Sequence, residues 1–145
     1  MEEPVDSAPT AARLRDEVRR FVTECGTRRA LPTLVHVGML AGRRITFPID
    51  ASYDAGLRAD LVTRALDRFD DPGPLAAWLT RGGLPSVHDD DLAWLVAADT
   101  GFGRHGVPQV PFFAVTRHGW LDVRTGQALT WRRVRPLPAA LPQPQ

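Results

Sequence analysis

Two short segments of this sequence end in the same way, with a threonine and an arginine that could grip an anion. Thr80-Arg81 closes an apolar run before Gly82-Gly83, and Thr116-Arg117 closes another before His118-Gly119. An arginine fork holds a carboxylate or phosphate through paired N–H donors, and a neighbouring hydroxyl adds a further contact. Thr80, Arg81, Thr116 and Arg117 are therefore the expected anion-binding set. Asp50, His88 and His118 stand at comparable boundaries and are the candidate acids or bases. No nucleophile accompanies them, because Ser7, Ser52 and Ser86 lack the strand–turn–helix setting that exposes a reactive serine.

His88-Asp89-Asp90-Asp91 carries metal-binding side chains, but one helical turn cannot aim all of them at one ion. Aspartates at a helix start are favoured by capping and by the helix dipole, so capping is the expected role. No metal and no cofactor is expected. His36 alternates with Leu34, Gly38 and Leu40, which places it on a sheet face among apolar residues. His105, beside Arg104 and Gly106, reads as a helix C-terminal residue.

A rival chemistry sits near the C-terminus. From Arg117 to Arg135 there are five arginines against one acid, Asp122, interleaved with Trp120 and Trp131. Arg124, Trp131, Arg132, Arg133 and Arg135 could follow a nucleic-acid backbone and stack on bases. The competing explanation is a charged edge strand with its tryptophans in the core. Arg133 and Arg135 alternate with Arg132, so the arginines need not share a face.

Composition removes several functions. All eighteen basic residues are arginine, and lysine and asparagine are absent. That excludes a P-loop lysine, a Schiff-base lysine and a kinase strand lysine. Both missing residues have A-rich codons, so base composition explains the pattern more simply than function does. All four glutamates lie within the first 24 residues, and the net charge is +1. Neither nucleic acid nor membrane is favoured by such a balance. The single cysteine, Cys25, cannot form an internal disulfide and falls on the apolar stripe of a helix. With no secretory or membrane-spanning stretch, the expected location is the cytoplasm.

The elements that must position these residues follow from periodicity. Leu14, Val18, Phe21, Val22 and Cys25 predict a helix over 11–25, stopped by Gly26. Residues 33–41 and 43–50 predict a hairpin, with Pro48 restricting its strand to an edge or an end. Leu57, Leu61, Ala65, Leu66 and Phe69 predict a second helix over 54–69. Residues 75–81 suit a buried strand, partly through their likeness to 110–116, which is apolar on both faces. A third helix over 88–104 should turn Leu92, Leu95, Val96 and Phe102 inward. Short strands over 119–124 and 128–134 complete the chain.

The expected fold is a single α/β domain over 10–135 with a mixed sheet, in the order α-β-β-α-β-α-β-β-β, parallel at its centre with antiparallel hairpins at its ends. Residues 1–9 and the proline-rich 136–145 read as tails. Ligands favour the carboxyl ends of parallel strands, where the anion-binding set should form one rim. The leading expectation is a small binding or interaction protein whose arginine-lined rim takes an acidic protein partner or a small anion. The alternatives are an enzyme for a phosphorylated or carboxylated metabolite, and a nucleic-acid-associated protein using the C-terminal strands.

Overall fold

The computed structural model describes residues 8–132. Helix α1 spans Ala8–Cys25 and begins earlier than its apolar stripe predicts. Pro9 sits in its first turn, where a missing N–H leaves no helical bond unmade. Leu14, Val18, Phe21 and Cys25 are buried along one stripe, and Gly26 ends the helix at φ +55°.

The hairpin forms as expected from β1 (Leu34–Gly38) and β2 (Arg44–Pro48), in register Leu34↔Pro48 through Gly38↔Arg44. Its close approach needs glycine at position 38. At φ +154° a Cβ there would stand 2.3 Å from the Arg43 carbonyl oxygen. Helix α2 (Ala55–Leu66) starts at Asp54, whose Oδ1 accepts the Leu57 N–H at 2.8 Å. The run 75–81 forms strand β3 (Ala76–Thr80) as expected, buried throughout. Helix α3 (Asp89–Arg104) follows, then β4 (Phe112–Thr116), β5 (Gly119–Asp122) and β6 (Ala128–Thr130).

These strands form one mixed sheet in the order β2-β1-β3-β4-β5-β6. Among the described strands, only β3 and β4 are parallel; every other neighbouring pair is antiparallel. Among the described residues β2 and β6 are the edges, which agrees with the restriction Pro48 imposes. Because β1 runs against both β2 and β3, the carboxyl ends of β2, β3 and β4 all lie on one rim.

The two faces are covered unequally. Of the described helices, α1 is the one that packs on Ala76, Trp78, Phe113, Val115 and Trp120. On the opposite face α2 and α3 cover Val35, Val37, Ala77, Leu79, Phe112 and Ala114. A helix is about 10 Å wide and strands are about 4.8 Å apart, so one helix spans only two or three strands. The β1–β2 end of the α1 face is consequently left partly open. Among the described residues, no helix is long and apolar enough to cross a membrane.

The helix stripes need correction in detail. Leu57 is 42% exposed, and Leu92 and Val96 on α3 are also exposed. α3 instead buries Asp91, Trp94, Ala97, Ala98, Gly101 and Phe102. Packing α3 tightly against α2 requires small residues, whose lack of bulk a hydrophobic stripe does not signal. A Cβ on Gly101 would stand 2.7 Å from Val62 Cγ1 and 3.2 Å from the Thr63 nitrogen. Helix propensity alone would make Gly101→Ala more stable by about 1 kcal/mol. We expect a net loss of about 1–3 kcal/mol instead, from overpacking. Urea denaturation measures it, and the G101A/V62A double variant should lose less than the sum of its single changes.

Candidate functional site

The rim expected from the sequence exists, but its side chains diverge. Thr80 pairs with Val115 rather than Thr116 in the parallel β3–β4 ladder. The two Thr-Arg pairs are thus out of step by one residue, and a one-residue offset reverses the sheet face. Arg81 turns toward α3, whereas Arg117 turns toward α1.

Arg81 is 3% exposed and uses all five of its N–H donors within the chain. Its Nε and Nη2 donate to Asp91 Oδ1 and Oδ2 at 2.9 and 2.7 Å. Nη1 reaches the carbonyls of Gly82 and Leu84, and Nη2 also reaches that of Ser86. The fork leaves no donor for an outside anion; it holds its own loop against the start of α3. Asp91 in turn accepts the His88 backbone N–H at 2.9 Å, so His88 and Asp91 cap α3. Among the described residues, no group of three His, Cys, Asp or Glu side chains could share a metal ion.

Arg117 donates to the Arg28 carbonyl beyond α1. Burial pushes the Cys25 thiol up from its ordinary value, opposed by a hydrogen bond and the positive charge of Arg117. Thr116 is fully buried and accepts the His118 N–H at 3.0 Å, while His118 itself is exposed. Asp50 closes a turn, accepting Ser52 N–H and O–H at 2.8 and 2.7 Å; these bonds lower its pKa. It borders a separate cavity of about 160 Å³ with Tyr53, Arg58, Asp90 and Trp94. Neither Arg81 nor Arg117 lines that cavity.

The C-terminal arginines are likewise divided. Arg124 donates to Asp99 Oδ2 at 3.2 Å and to the Val110 carbonyl at 2.8 Å. Trp120 is buried and Trp131 packs partly beneath α1. Arg132 is exposed, whereas Arg133 and Arg135 lie outside the described residues.

Another polar site lies at the open end of the α1 face. A cavity of about 200 Å³ is lined by Glu17, Arg20 and Glu24 of α1, His36 of β1, Arg44 and Thr46 of β2, and Thr80 of β3. Thr80 is the one member of the expected anion-binding set that borders it. Glu17 is 2% exposed, and its Oε1 accepts Arg44 Nη1 at 2.7 Å while Oε2 accepts the Ala41 N–H at 3.0 Å. Arg44 Nε donates to the Gly42 carbonyl, and its guanidinium lies 4.8 Å from the Trp78 ring centroid. Its Nη2 is buried and has no hydrogen-bond partner among the described residues. At the outer side, Arg20 and Glu24 form an exposed ion pair of 3.0 Å.

His36 forms the floor. It stacks on Trp78 at 5.4 Å, and its Nδ1 and Nε2 share hydrogen bonds with Thr46 and Thr80 hydroxyls at 2.7 and 2.8 Å. A neutral ring satisfies both, donating at one nitrogen and accepting at the other. Burial, reinforced by the positive charges of Arg44 and Arg20, lowers its pKa to about 3. A general base works best with a pKa near the working pH, so His36 is poorly suited to proton transfer.

Glu17 and Arg44 were not singled out from sequence. The available signal was a glutamate inside an apolar helical stripe, three residues after Leu14 and four before Phe21. Arg44 was legible only through hairpin register, which places it two residues from the Thr46 that opposes His36. Comparison with protein-family models, curated proteins and solved structures finds no match.

Two outcomes follow from this geometry. Asp91→Ala should cost roughly 3–5 kcal/mol in urea denaturation, because it strands a buried arginine. For His36, the folded pKa is depressed, so the unfolded chain binds the extra proton between pH 6.5 and 3. Stability should be intact above 6.5 and fall as acidity increases through that window, by on the order of a few kcal/mol. Comparing denaturation of the wild type and His36→Gln across pH checks this, since the variant should lack that portion of the slope.

Proposed function

We propose that the chain is a binding module without catalysis, whose α1-side cavity takes a small molecule bearing one carboxylate or amide oxygen. The observation that carries this reading is the unpartnered Nη2 of Arg44. The Arg44 side chain is nine-tenths buried at 10% exposure. A buried donor left unsatisfied costs about 1–3 kcal/mol, which a ligand oxygen would recover.

Charge and volume narrow the ligand. Arg20 and Arg44 are balanced by Glu17 and Glu24, so the cavity has no surplus positive charge for a phosphate ester. A monocarboxylate with its own cation, or a neutral amide, fits that balance better. The cavity is also smaller than the roughly 300–1,000 Å³ usual for larger ligands. Thr46 and Thr80 supply hydroxyls beside Arg44, while His36 stays neutral and orients them. The unpaired, buried Cys25 suits a reducing compartment, which favours a cytoplasmic setting. An enzyme for phosphorylated metabolites is less well supported, since Asp50, Arg81 and Arg117 point to separate places.

A two-dimensional NMR titration with acetate, glycine, acetamide and inorganic phosphate tests the reading. We expect saturable shifts at Thr46 and Thr80 for glycine or acetamide and none of that kind for phosphate. Arg44→Lys keeps a positive charge near Glu17 but loses the planar fork, and should weaken binding about tenfold or more. Equal binding by the variant, or no saturable shift with any of these probes, overturns the proposal.

A further inference from the structure

A second recognition feature lies on the outer side of the same strand. Among the described residues, β2 is an edge of the sheet, paired only with β1. Met39 donates to the Arg43 carbonyl at 2.8 Å, and Ile49 to the Thr33 carbonyl at 3.4 Å. In an antiparallel pair the bonded positions alternate, so residues 43, 45, 47 and 49 direct their backbone groups toward β1. The N–H and C=O of Arg44 and Thr46, with the C=O of Pro48, therefore face the open edge. Such an edge can accept another strand unless something blocks it.

Beside that edge runs a groove of about 290 Å³ between β2 and α2, lined by Ile45, Phe47, Leu61, Ala65, Arg64 and Arg68. Its base is apolar, and both arginines are exposed. Nearby acids are engaged elsewhere: Asp60 pairs with Arg104 and Asp67 with His105. Among the described residues, the guanidinium groups of Arg64 and Arg68 have no carboxylate partner. An extended strand on the edge would send every second side chain toward this groove.

The geometry points to β2 as a docking edge for an extended acidic peptide segment of another protein. The segment pairs with the backbone of Arg44 and Thr46, seats an apolar side chain over Ile45, Phe47 and Leu61, and places acidic side chains toward Arg64 and Arg68. A second copy of this chain is a poor occupant. Its β2 (Arg44–Pro48) has no acidic side chain to set against Arg64 and Arg68, and brings a further arginine instead. This inference does not depend on the cavity ligand, because that ligand contacts the opposite face of β2.

The test uses the full chain and a short fluorescent peptide with glutamate, valine and glutamate at alternate positions and threonine between them. We expect saturable anisotropy that weakens steeply with salt, and slowed hydrogen exchange at the Arg44 and Thr46 amides when the peptide binds. Arg64→Glu with Arg68→Glu alters only exposed positions and should reduce affinity at least about tenfold. Methylating the amide nitrogens of the two threonines that flank the valine, which pair antiparallel with Arg44 and Thr46, should also abolish binding if backbone pairing holds it. Absence of saturable binding overturns the inference, as does binding that leaves those two amides unprotected or is unaffected by the double reversal. Protection of Arg44 and Thr46 already present in the peptide-free chain, from self-association or from the chain's own termini, overturns it as well.

Discussion

The buried pair between Arg81 and Asp91 is the contact on which the middle of this fold depends. It joins the end of β3 to the start of α3, at the point where the chain leaves the sheet and must return parallel to itself as β4. A crossover of this kind has no hairpin to define its geometry. Here the definition comes from one guanidinium that satisfies a carboxylate and three loop carbonyls together. Asp91 serves both sides, since it also accepts the backbone N–H that opens α3. Desolvating two charges is costly, and the pair is tolerable because every Arg81 donor and both Asp91 oxygens are occupied. An arginine that completes its own loop so fully is structural, whatever its position at a strand end suggests.

Unequal coverage of the sheet is the second constraint. Two helices close one face over its whole central region, and one helix closes the other. The uncovered portion falls over β1 and β2, and polar groups of both strands meet there. Glu17 makes that arrangement possible by neutralising Arg44 and holding the hairpin turn through Ala41. The turn is one of the few places where a non-glycine residue adopts positive φ, at +61°. Such strain persists when neighbouring contacts over-determine it, and the Glu17 bond is one of them. β2 thereby offers a polar face to the cavity, an apolar face to the α2 groove, and an unpaired backbone edge between them.

Element order was legible in the sequence because period and punctuation agreed. Asp54 and Gly26 delimit helices by local chemistry that tertiary contacts do not override, whereas α2 ends at Leu66, before the expected 69. The short strand at Ala76–Thr80 was legible through its apolarity and its glycine and proline brackets. Helix faces were less so: Leu92 and Val96 look like core residues, yet Ala97, Ala98 and Gly101 occupy the interface because α2 approaches closely. Leucine content reports hydrophobicity, whereas a close helix contact selects for small size. The candidate site suffered from a different gap. Its residues come from three distant segments, and only the hairpin register and the position of α1 bring Glu17, Arg44 and Thr80 together. The resemblance between the two Thr-Arg pairs was real in sequence but misleading in space, since a single-residue offset in register separates their faces.

The arginine-only basic complement acquires a structural meaning from these contacts. Arg28, Arg43, Arg44, Arg58, Arg81, Arg117 and Arg124 each donate to a backbone carbonyl in a loop, at a turn or near a helix end. A planar fork with several donors can satisfy such acceptors and an acid at once, which a lysine ammonium does less well. Asparagine, another frequent partner of turn backbone, is also missing from this chain. Arginine has taken over part of that work. Recognition chemistry is therefore better sought where the fork is incompletely used than where arginine is merely abundant. By that criterion Arg44 stands out inside the α1-side cavity, with both Nη2 donors unused where Arg58, Arg117 and Arg124 leave only a buried Nε, and Arg64 and Arg68 stand out beside an apolar groove. Arg81, the most conspicuous candidate by sequence position, is the arginine with the least capacity left to bind anything else.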